Sequence, residues 1–366
     1  MKKQLIAGFA VAALTVVTLT SCSGNTGRSD AGASGSTATI PKGSTIGVSL
    51  PAKTSQNWVL AKAAFEDSLA KAGFKADVQY AAATNTVPDQ QNQISGMITK
   101  GDKALIIAAQ DGAQLGTQVK QAKAAGIPVI AWDRNITGTK NVDYYVAFNN
   151  YKVGQLQGTA LLDGLKAKGS GPYNIELFAG ASTDANAPVF FNGAMSVLQP
   201  KIDDGTLKVV SGQTSFSAVS TDGWLAQNAQ TRMSNLLQKN YGSTKLDGVL
   251  SPNDTLARAI IQSVKSAGKP GIIVTGQDSE TASIPLIMSG TQYSTIYKNT
   301  AEEAQAAVDL VTTLSEGKTP KTVIDKKNNY NGVITVPAVA LTPVLVTKDN
   351  AAEAYKDNTT LEPLTK

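Results

Sequence analysis

Residues 127–135, with the sequence IPVIAWDRN, place an acid, an arginine and an indole directly after a short apolar segment. Residues 129–131 read as a buried strand, and Trp132, Asp133 and Arg134 follow it. A carboxylate accepts hydrogen bonds and a guanidinium donates them, so this pair could bind a polar ligand. The alternative is a structural ion pair, and the pair alone does not decide between the two.

Other apolar segments of the chain are also followed by polar or aromatic side chains. The residues in these positions are Lys53, Asn57, Trp58, Asp111, Asp184, Asn186, Trp224, Asn253, Asp254, Gln277, Asp278 and Lys298. All three tryptophans of the chain fall in or beside such segments. Ligands of open parallel sheets bind beyond the carboxyl ends of the strands, so we expect these side chains to meet at one cleft.

Each of these residues also has a plain structural explanation. Asp111 suits a turn, Asp254 could cap the following helix, and Trp224 could be core packing. Lys53 and Lys298 could be solvated surface charges. The functional interpretation depends on their joint placement, because independent structural uses would not put them all after strands. Trp132 stays open, since neighbouring residues of a strand face opposite ways.

The combination of side chains indicates the chemistry of the ligand. Hydroxyl groups both donate and accept, so a ligand with many hydroxyls needs Asp acceptors alternating with Asn, Arg and Lys donors. Flat indoles suit an apolar ring face. A site built in this way also rejects an analogue that lacks a hydroxyl, because protein groups would then be buried unpaired.

Strands and amphipathic helices alternate from residue 44 onward, which predicts parallel sheets covered on both faces. The predicted strands of a first series are 44–50, 76–82, 103–110 and 128–132. Those of a second series are 173–180, 207–213, 246–252 and 271–277. A strand at 291–298 and a helix at 301–316 indicate a return to the first domain. The predicted fold class is therefore α/β, with two doubly wound parallel-sheet lobes.

Composition narrows the class of function. The 366 residues are 42% hydrophobic and 17% charged, which is typical of folded globular domains. The chain has no histidine, which excludes histidine-based catalysis and imidazole metal sites. The formal charge of +5 is not gathered in a long basic run, so no nucleic-acid partner is predicted. No cofactor and no metal site are predicted either.

The N-terminal segment has the features of a secretory signal. Lys2 and Lys3 precede an apolar run at 5–19, which is short for a membrane span. Residues 19–22, LTSC, resemble the lipobox of bacterial lipoproteins, in which the cysteine carries the lipid. We therefore predict a signal peptide at 1–21, lipidation of Cys22 and a flexible tether at 22–43. A conventional signal peptide with an incidental cysteine is the alternative.

Several longer motifs resemble one family. The segments IAAQDG, IAWDRN, NIELFAGASTDANA, FFNGAMSVL, SPNDTLA, VTGQDSE and QYSTIYKNT, in this order, resemble periplasmic monosaccharide-binding proteins of ABC transporters. The nearest type is the multiple-sugar receptor, and xylose- and ribose-binding proteins are more distant. The resemblance covers residues 44–350.

The resemblance implies a type I periplasmic binding protein whose two lobes close on one sugar. The first lobe would comprise 44–148 and 283–325, the second 149–282 and 326–350, with a C-terminal tail at 351–366. The implied ligand-binding residues are Lys53, Asn57, Trp58, Asp111, Asp133, Arg134, Asn150, Asn186, Trp224, Asn253, Asp278 and Lys298. Two amides depart from the pattern: Asn57 stands where the multiple-sugar type has an arginine, and Asn149 where it has an aspartate.

The predicted function is binding of an aldopentose or hexose and its delivery to an ABC permease with its ATPase subunits. The protein would be a monomer, held by the lipid on Cys22 at the extracytoplasmic face of the cell membrane. The alternative is a sugar or autoinducer sensor that presents its ligand to a membrane signalling receptor. A sugar-responsive repressor would need a helix-turn-helix where the chain has a signal peptide. An enzyme is not predicted, because no carboxylate is set apart as a general acid.

Overall fold

The computed structural model describes residues 40–366, so the predicted signal peptide, Cys22 and most of the predicted tether lie outside the described residues. The strands are β1 (Thr45–Leu50), β2 (Lys75–Tyr80), β3 (Leu105–Ile107), β4 (Val129–Trp132), β5 (Tyr144–Phe148), β6 (Tyr173–Leu177), β7 (Leu207–Val209), β8 (Gly248–Leu250), β9 (Ile273–Val274), β10 (Thr295–Tyr297), β11 (Ala338–Leu341) and β12 (Val344–Val346). The helices are α1 (Gln56–Lys71), α2 (Thr86–Lys100), α3 (Gly116–Ala124), α4 (Asn150–Ala167), α5 (Asn186–Asp203), α6 (Phe216–Val219), α7 (Ala226–Asn240), α8 (Asp254–Ser266), α9 (Ile284–Met288), α10 (Thr300–Ser315), α11 (Lys326–Asn329) and α12 (Ala351–Ala354).

The first sheet contains six parallel strands in the order β11-β5-β4-β3-β1-β2. Its central strands β3 and β4 are apolar on both sides, and their alternate residues pack into different clusters. Ile106 and Ile130 join one cluster with α1 and α10, whereas Leu105 and Val129 join another with α2 and α3. Helices therefore cover both faces of this sheet, as the apolar runs of the sequence predict.

Trp132 belongs to the core of this first sheet. It shares a face of β4 with Ile130 and is 1% exposed. Its ring packs edge-on against Phe65, with centroids 4.9 Å apart, and its Nε1 donates to the backbone oxygen of Glu303 at 3.0 Å. The sequence left open whether Trp132 faces the cleft or the core, and the structure places it in the core.

The second sheet has four parallel strands in the order β7-β6-β8-β9. Helices α4 and α5 cover one face, and α7 and α8 cover the other. Helices α4 and α5 cross closely at Gly154, where a Cβ would lie under 3.0 Å from backbone atoms of Phe190. Glycine is therefore required there, since any side chain would push the two helices apart.

The C-terminal part of the chain differs from its predicted assignment. Residues 326–350 were assigned to the second lobe, but β11 pairs in parallel with β5 in the first sheet. Strand β12 pairs antiparallel with β10 in a separate two-stranded sheet. Residues 351–366, predicted as a tail, pack through Tyr355 and Leu361 against Ile284, Ile287 and Val346. Such pairings between distant segments have no local signal in the sequence.

The predicted fold class is confirmed, since both main sheets are parallel and are covered by helices. Between residues 40 and 366, no helix is long and apolar enough to cross a membrane. The limits of the two predicted lobes stay a prediction, apart from the strand β11, which lies in the first sheet.

Candidate functional site

A cavity lies where segments that follow strands of both main sheets meet. It holds about 450 Å³ of space free of atoms, counting the part open to solvent. Its lining residues are Thr54, Ser55, Asn57, Trp58, Asp133, Arg134, Asp184, Asn186, Phe190, Trp224, Asn253, Gln277, Asp278 and Lys298. Most of the polar side chains expected to meet at one cleft line this cavity, but Lys53, Asp111 and Asp254 do not.

Lys298 connects two carboxylates that come from different sheets. Its Nζ lies 3.2 Å from Oδ1 of Asp278, which follows β9, and 3.7 Å from Oδ2 of Asp133, which follows β4. Burial alone would lower the pKa of Lys298, but the attraction of Asp278, Asp133 and Glu303 together raises it. Lys298 is therefore a cation at neutral pH and balances the charge of both acids.

A second charged group, Arg134 with Asp184, also lines the cavity. Nε of Arg134 lies 3.1 Å from Oδ2 of Asp184, and Nε1 of Trp224 donates to the same oxygen at 3.1 Å. Burial raises the pKa of Asp184, while Arg134 lowers it. The guanidinium also lies over the ring of Trp58, 4.9 Å from its centroid. Both indoles thus have a polar or charged partner, and both line the cavity.

Three of the lining residues have a left-handed backbone that side chains usually avoid. The φ angles are 55° at Asp133, 56° at Trp224 and 94° at Asp278. At Asp133 the carbonyl oxygen accepts from the hydroxyl of Tyr145 and from Nδ2 of Asn186, each at 2.7 Å. Strained conformations of this kind gather at binding sites and persist only where the surroundings hold them.

The two sides of the cavity are also in direct contact. Asn186, at the start of α5, bonds to Asp133 of the first sheet, and Arg134 pairs with Asp184. Near the start of α1, Oε1 of Gln56 accepts from the backbone N–H of Thr281 at 2.8 Å. These bonds hold the segments beyond the two sheets together around the cavity.

Asn253 serves the fold and lines the cavity at once. Its Oδ1 accepts from the backbone N–H of Leu256 at 3.0 Å and so caps helix α8. The sequence had offered Asp254 as the residue that caps α8. Asp254 is instead fully buried, and its carboxylate accepts hydrogen bonds from Gln292 and Thr295. The cap uses one of the two lone pairs of the Asn253 oxygen, so the amide nitrogen of Asn253 can still donate to a ligand.

Nine of the twelve predicted residues line the cavity, and three lie elsewhere. Lys53 is exposed, with Nζ 4.6 Å from the centroid of the Tyr80 ring. Asp111 is used by its own turn, where Oδ1 accepts from the backbone N–H of Ala113 at 2.9 Å. Asn150 is buried, and its Nδ2 donates to the hydroxyl of Tyr145 at 3.1 Å. Asn150 does not line the cavity but is linked to the lining residue Asp133 through the hydroxyl of Tyr145.

The predicted set omits five lining residues, namely Thr54, Ser55, Asp184, Phe190 and Gln277. Asp184 and Gln277 follow strands β6 and β9, and their positions after apolar segments already placed them among the side chains expected at the cleft. They were missing only from the set of ligand-binding residues that the resemblance implied. Phe190 and Phe191 both lie inside helix α5 and pack in core clusters on different faces of the second sheet, and nothing in the local sequence shows that Phe190 also lines the cavity.

The arrangement is suited to binding rather than to catalysis. Acceptor carboxylates alternate with a guanidinium, an ammonium and amides, and aromatic rings of Trp58, Phe190 and Trp224 provide apolar surface. Such a site can hold an uncharged ligand that has hydroxyl groups on its edge and an apolar ring face. The molecule is thus, by fold and site, a two-sheet α/β binding protein with its ligand cavity between the sheets.

Comparisons with known proteins agree with this class. A family model described as periplasmic binding protein domain matches residues 46–319. The chain therefore belongs to the periplasmic binding protein family. The recognition made from the sequence motifs is confirmed, as is the type I fold.

Individual relatives extend over most of the chain. The multiple sugar-binding periplasmic receptor ChvE of Rhizobium radiobacter is 47% identical, over 84% of this chain and 87% of the relative. The D-xylose-binding periplasmic protein of Escherichia coli is 36% identical, over 83% and 87%. An ABC transporter solute-binding protein of Clostridium phytofermentans, solved with β-D-glucose, is 38% identical with a TM-score of 0.82, covering 88% of this chain and all of that chain. These relatives are binding proteins and not enzymes, which confirms the prediction that the protein is not an enzyme.

Proposed function

We propose that this protein is the solute-binding component of an ABC importer and that it binds one monosaccharide. The cavity between the two sheets carries this proposal, because its paired charges and aromatic rings match a hydroxylated ring. The sugar is an aldopentose or hexose such as xylose, arabinose, glucose, galactose or fructose. The names of the relatives, which bind multiple sugars, D-xylose and β-D-glucose, support this ligand class.

The proposed mechanism is closure of two lobes on the sugar. Asp133 and Arg134 belong to the first sheet and Asp184, Asn253 and Asp278 to the second, so one ligand would touch both. A ligand that bridges both sides binds the closed form more tightly and shifts the open–closed equilibrium toward it. The closed monomer then delivers the sugar to the permease and its ATPase subunits. The comparisons do not favour the sensor alternative.

A thermal-shift panel tests the ligand class. Purified protein is mixed with D-xylose, L-arabinose, D-glucose, D-galactose and D-fructose, and open-chain sorbitol serves as a control without a ring. A sugar at 100 times its Kd stabilises the protein by about 2.7 kcal/mol, which raises the Tm by several degrees. We expect at least one sugar to do so and sorbitol to have no effect. If none of these sugars shifts the Tm, the proposal is wrong.

Lipid anchoring at Cys22 forms a separate part of the proposal, at a position outside the described residues. Because stable attachment depends on acyl chains carried by this cysteine, Cys22→Ala is expected to move the protein from the membrane fraction to the soluble fraction. The matched control is Ser23→Ala, which keeps the cysteine. Cell fractionation and immunoblotting measure both variants. A Cys22→Ala protein that still sediments with membranes would contradict lipid anchoring.

A further inference from the structure

The loop that carries Asp278 has an unusual backbone. Asp278 and Ser279 are consecutive residues with positive φ angles, 94° and 50°. Each such residue costs about 1–3 kcal/mol, and its conformation persists only where its surroundings hold it. Two backbone N–H groups of this loop donate to strand β10: the N–H of Asp278 donates to the oxygen of Ile296 at 2.8 Å, and that of Ser279 donates to Oγ1 of Thr295 at 3.1 Å.

A third contact comes from the C-terminal segment. Tyr355, directly after α12, is fully buried, and its hydroxyl donates to Oγ of Ser279 at 2.7 Å. Its ring packs edge-on against Tyr297, with centroids 5.1 Å apart. Tyr297 precedes Lys298, and its own hydroxyl accepts from Nδ2 of Asn358 at 3.0 Å. The C-terminal segment thus contacts the neighbours of both Asp278 and Lys298, which form the ion pair of the cavity.

Close packing does not surround this loop on every side. A second cavity, with about 840 Å³ of atom-free space including its open part, borders Asp278, Ser279 and Lys298. Thr360 and Leu361 of the C-terminal segment line the same space. A strained loop beside open space can relax into it unless specific bonds prevent this, whereas a densely packed loop cannot. The hydroxyl of Tyr355 supplies such a bond.

We infer that Tyr355 is a positioning residue for the sugar site, acting through Ser279 to keep Asp278 in its binding conformation. The inference rests on the proposed function, because it assumes that Asp278 contacts the sugar. It also assigns a role to residues 351–366, which the sequence had presented only as a tail. The role is to hold the loop that carries Asp278 in place through the hydrogen bond between Tyr355 and Ser279.

The test compares two variants that each remove one buried hydroxyl. Tyr355→Phe keeps the ring and loses the bond to Ser279. Tyr241→Phe is the matched control, because its hydroxyl is also buried and donates to Oε1 of Glu176 at 2.7 Å, away from the cavity. Titration calorimetry uses the panel sugar that stabilises the wild type most. Loss of one buried hydrogen bond predicts a Kd about tenfold higher for Tyr355→Phe and a nearly unchanged Kd for Tyr241→Phe.

A double-mutant cycle with Ser279→Ala shows whether the effect passes through Ser279. We expect Ser279→Ala to weaken binding as Tyr355→Phe does, and the combined variant to be no weaker than either one. Ser279→Ala also keeps the question decidable if Tyr355→Phe does not fold. Wild-type affinity in Tyr355→Phe or Ser279→Ala would overturn the inference, as would additive losses in the combined variant. If the wild type binds no panel sugar, the proposed function fails first, which is a separate result.

Discussion

Replacing Lys298 with methionine is expected to weaken sugar binding by about 3–5 kcal/mol, equivalent to about a hundredfold or more in Kd. Lys298 is 7% exposed and lies between Asp278 and Asp133. Methionine fills much of the same volume but leaves the two carboxylates without their shared cation. The acids come from different sheets, so their repulsion opposes closure around a ligand as well as contact with it.

The pH dependence of Lys298→Met distinguishes lost charge from lost packing. Burial raises the pKa of Asp278, and Lys298 lowers it, so removing Lys298 raises that pKa further. A carboxyl whose pKa is higher in the folded than in the unfolded state destabilises the fold above that pKa, and the cost disappears as the pH falls through it. We therefore expect the Tm difference between the variant and the wild type to shrink as the pH is lowered from neutral toward about 4, the pKa of an aspartate in the unfolded chain.

Lys53→Met is the matched control for this experiment. Lys53 is exposed and lies over the ring of Tyr80, outside the cavity, so its removal leaves no buried charge unpaired. We expect its Tm to follow that of the wild type at every pH. A Tm loss in Lys298→Met that is constant with pH would instead assign the effect to packing, and an unchanged Kd would remove Lys298 from the site.

The sequence predicts the elements well but not their order in the sheets. Apolar segments and amphipathic helices have local patterns, and helix α10 (Thr300–Ser315) lies within one residue of the predicted bounds, 301–316. Strand β11 is different, because it follows β5 by almost two hundred residues in sequence and pairs with it directly. Only the assembled sheet makes that strand recognisable, since its four residues have no distinctive pattern.

The candidate site shows the same limit at the level of side chains. A position directly after a strand places a residue at the edge of a sheet where ligands bind, but it does not say where the side chain points. Asp133 and Asp111 both follow a buried strand, yet the first faces the cavity and the second bonds to its own turn. Phe190 reaches the cavity from inside a helix and does not follow a strand directly. The ligand-binding roles of the predicted residues remain to be tested by variants such as those above.

Gly180→Ala is expected to disrupt the site by displacing the indole of Trp224. Gly180 follows β6, and a Cβ added there would lie under 3.0 Å from three atoms of the indole, Cζ2, Cη2 and Cε2. The indole cannot simply move aside, because its Nε1 is bonded to Asp184 and its backbone is held at a positive φ. Overpacking at such a point costs about 1–3 kcal/mol, and here displacement of the ring also removes a surface for the ligand.

Two measurements follow from that geometry. Calorimetry should give a Kd about tenfold higher for Gly180→Ala, and the tryptophan fluorescence change on adding sugar should be smaller because Trp224 no longer faces the ligand. Gly96→Ala is the matched control, since a Cβ at Gly96 meets nothing within 4 Å and alanine favours helix α2. It should be as stable as the wild type or slightly more so, with the same Kd. Wild-type affinity and fluorescence in Gly180→Ala would mean that Trp224 is core packing alone, which is the structural alternative that its sequence position allows.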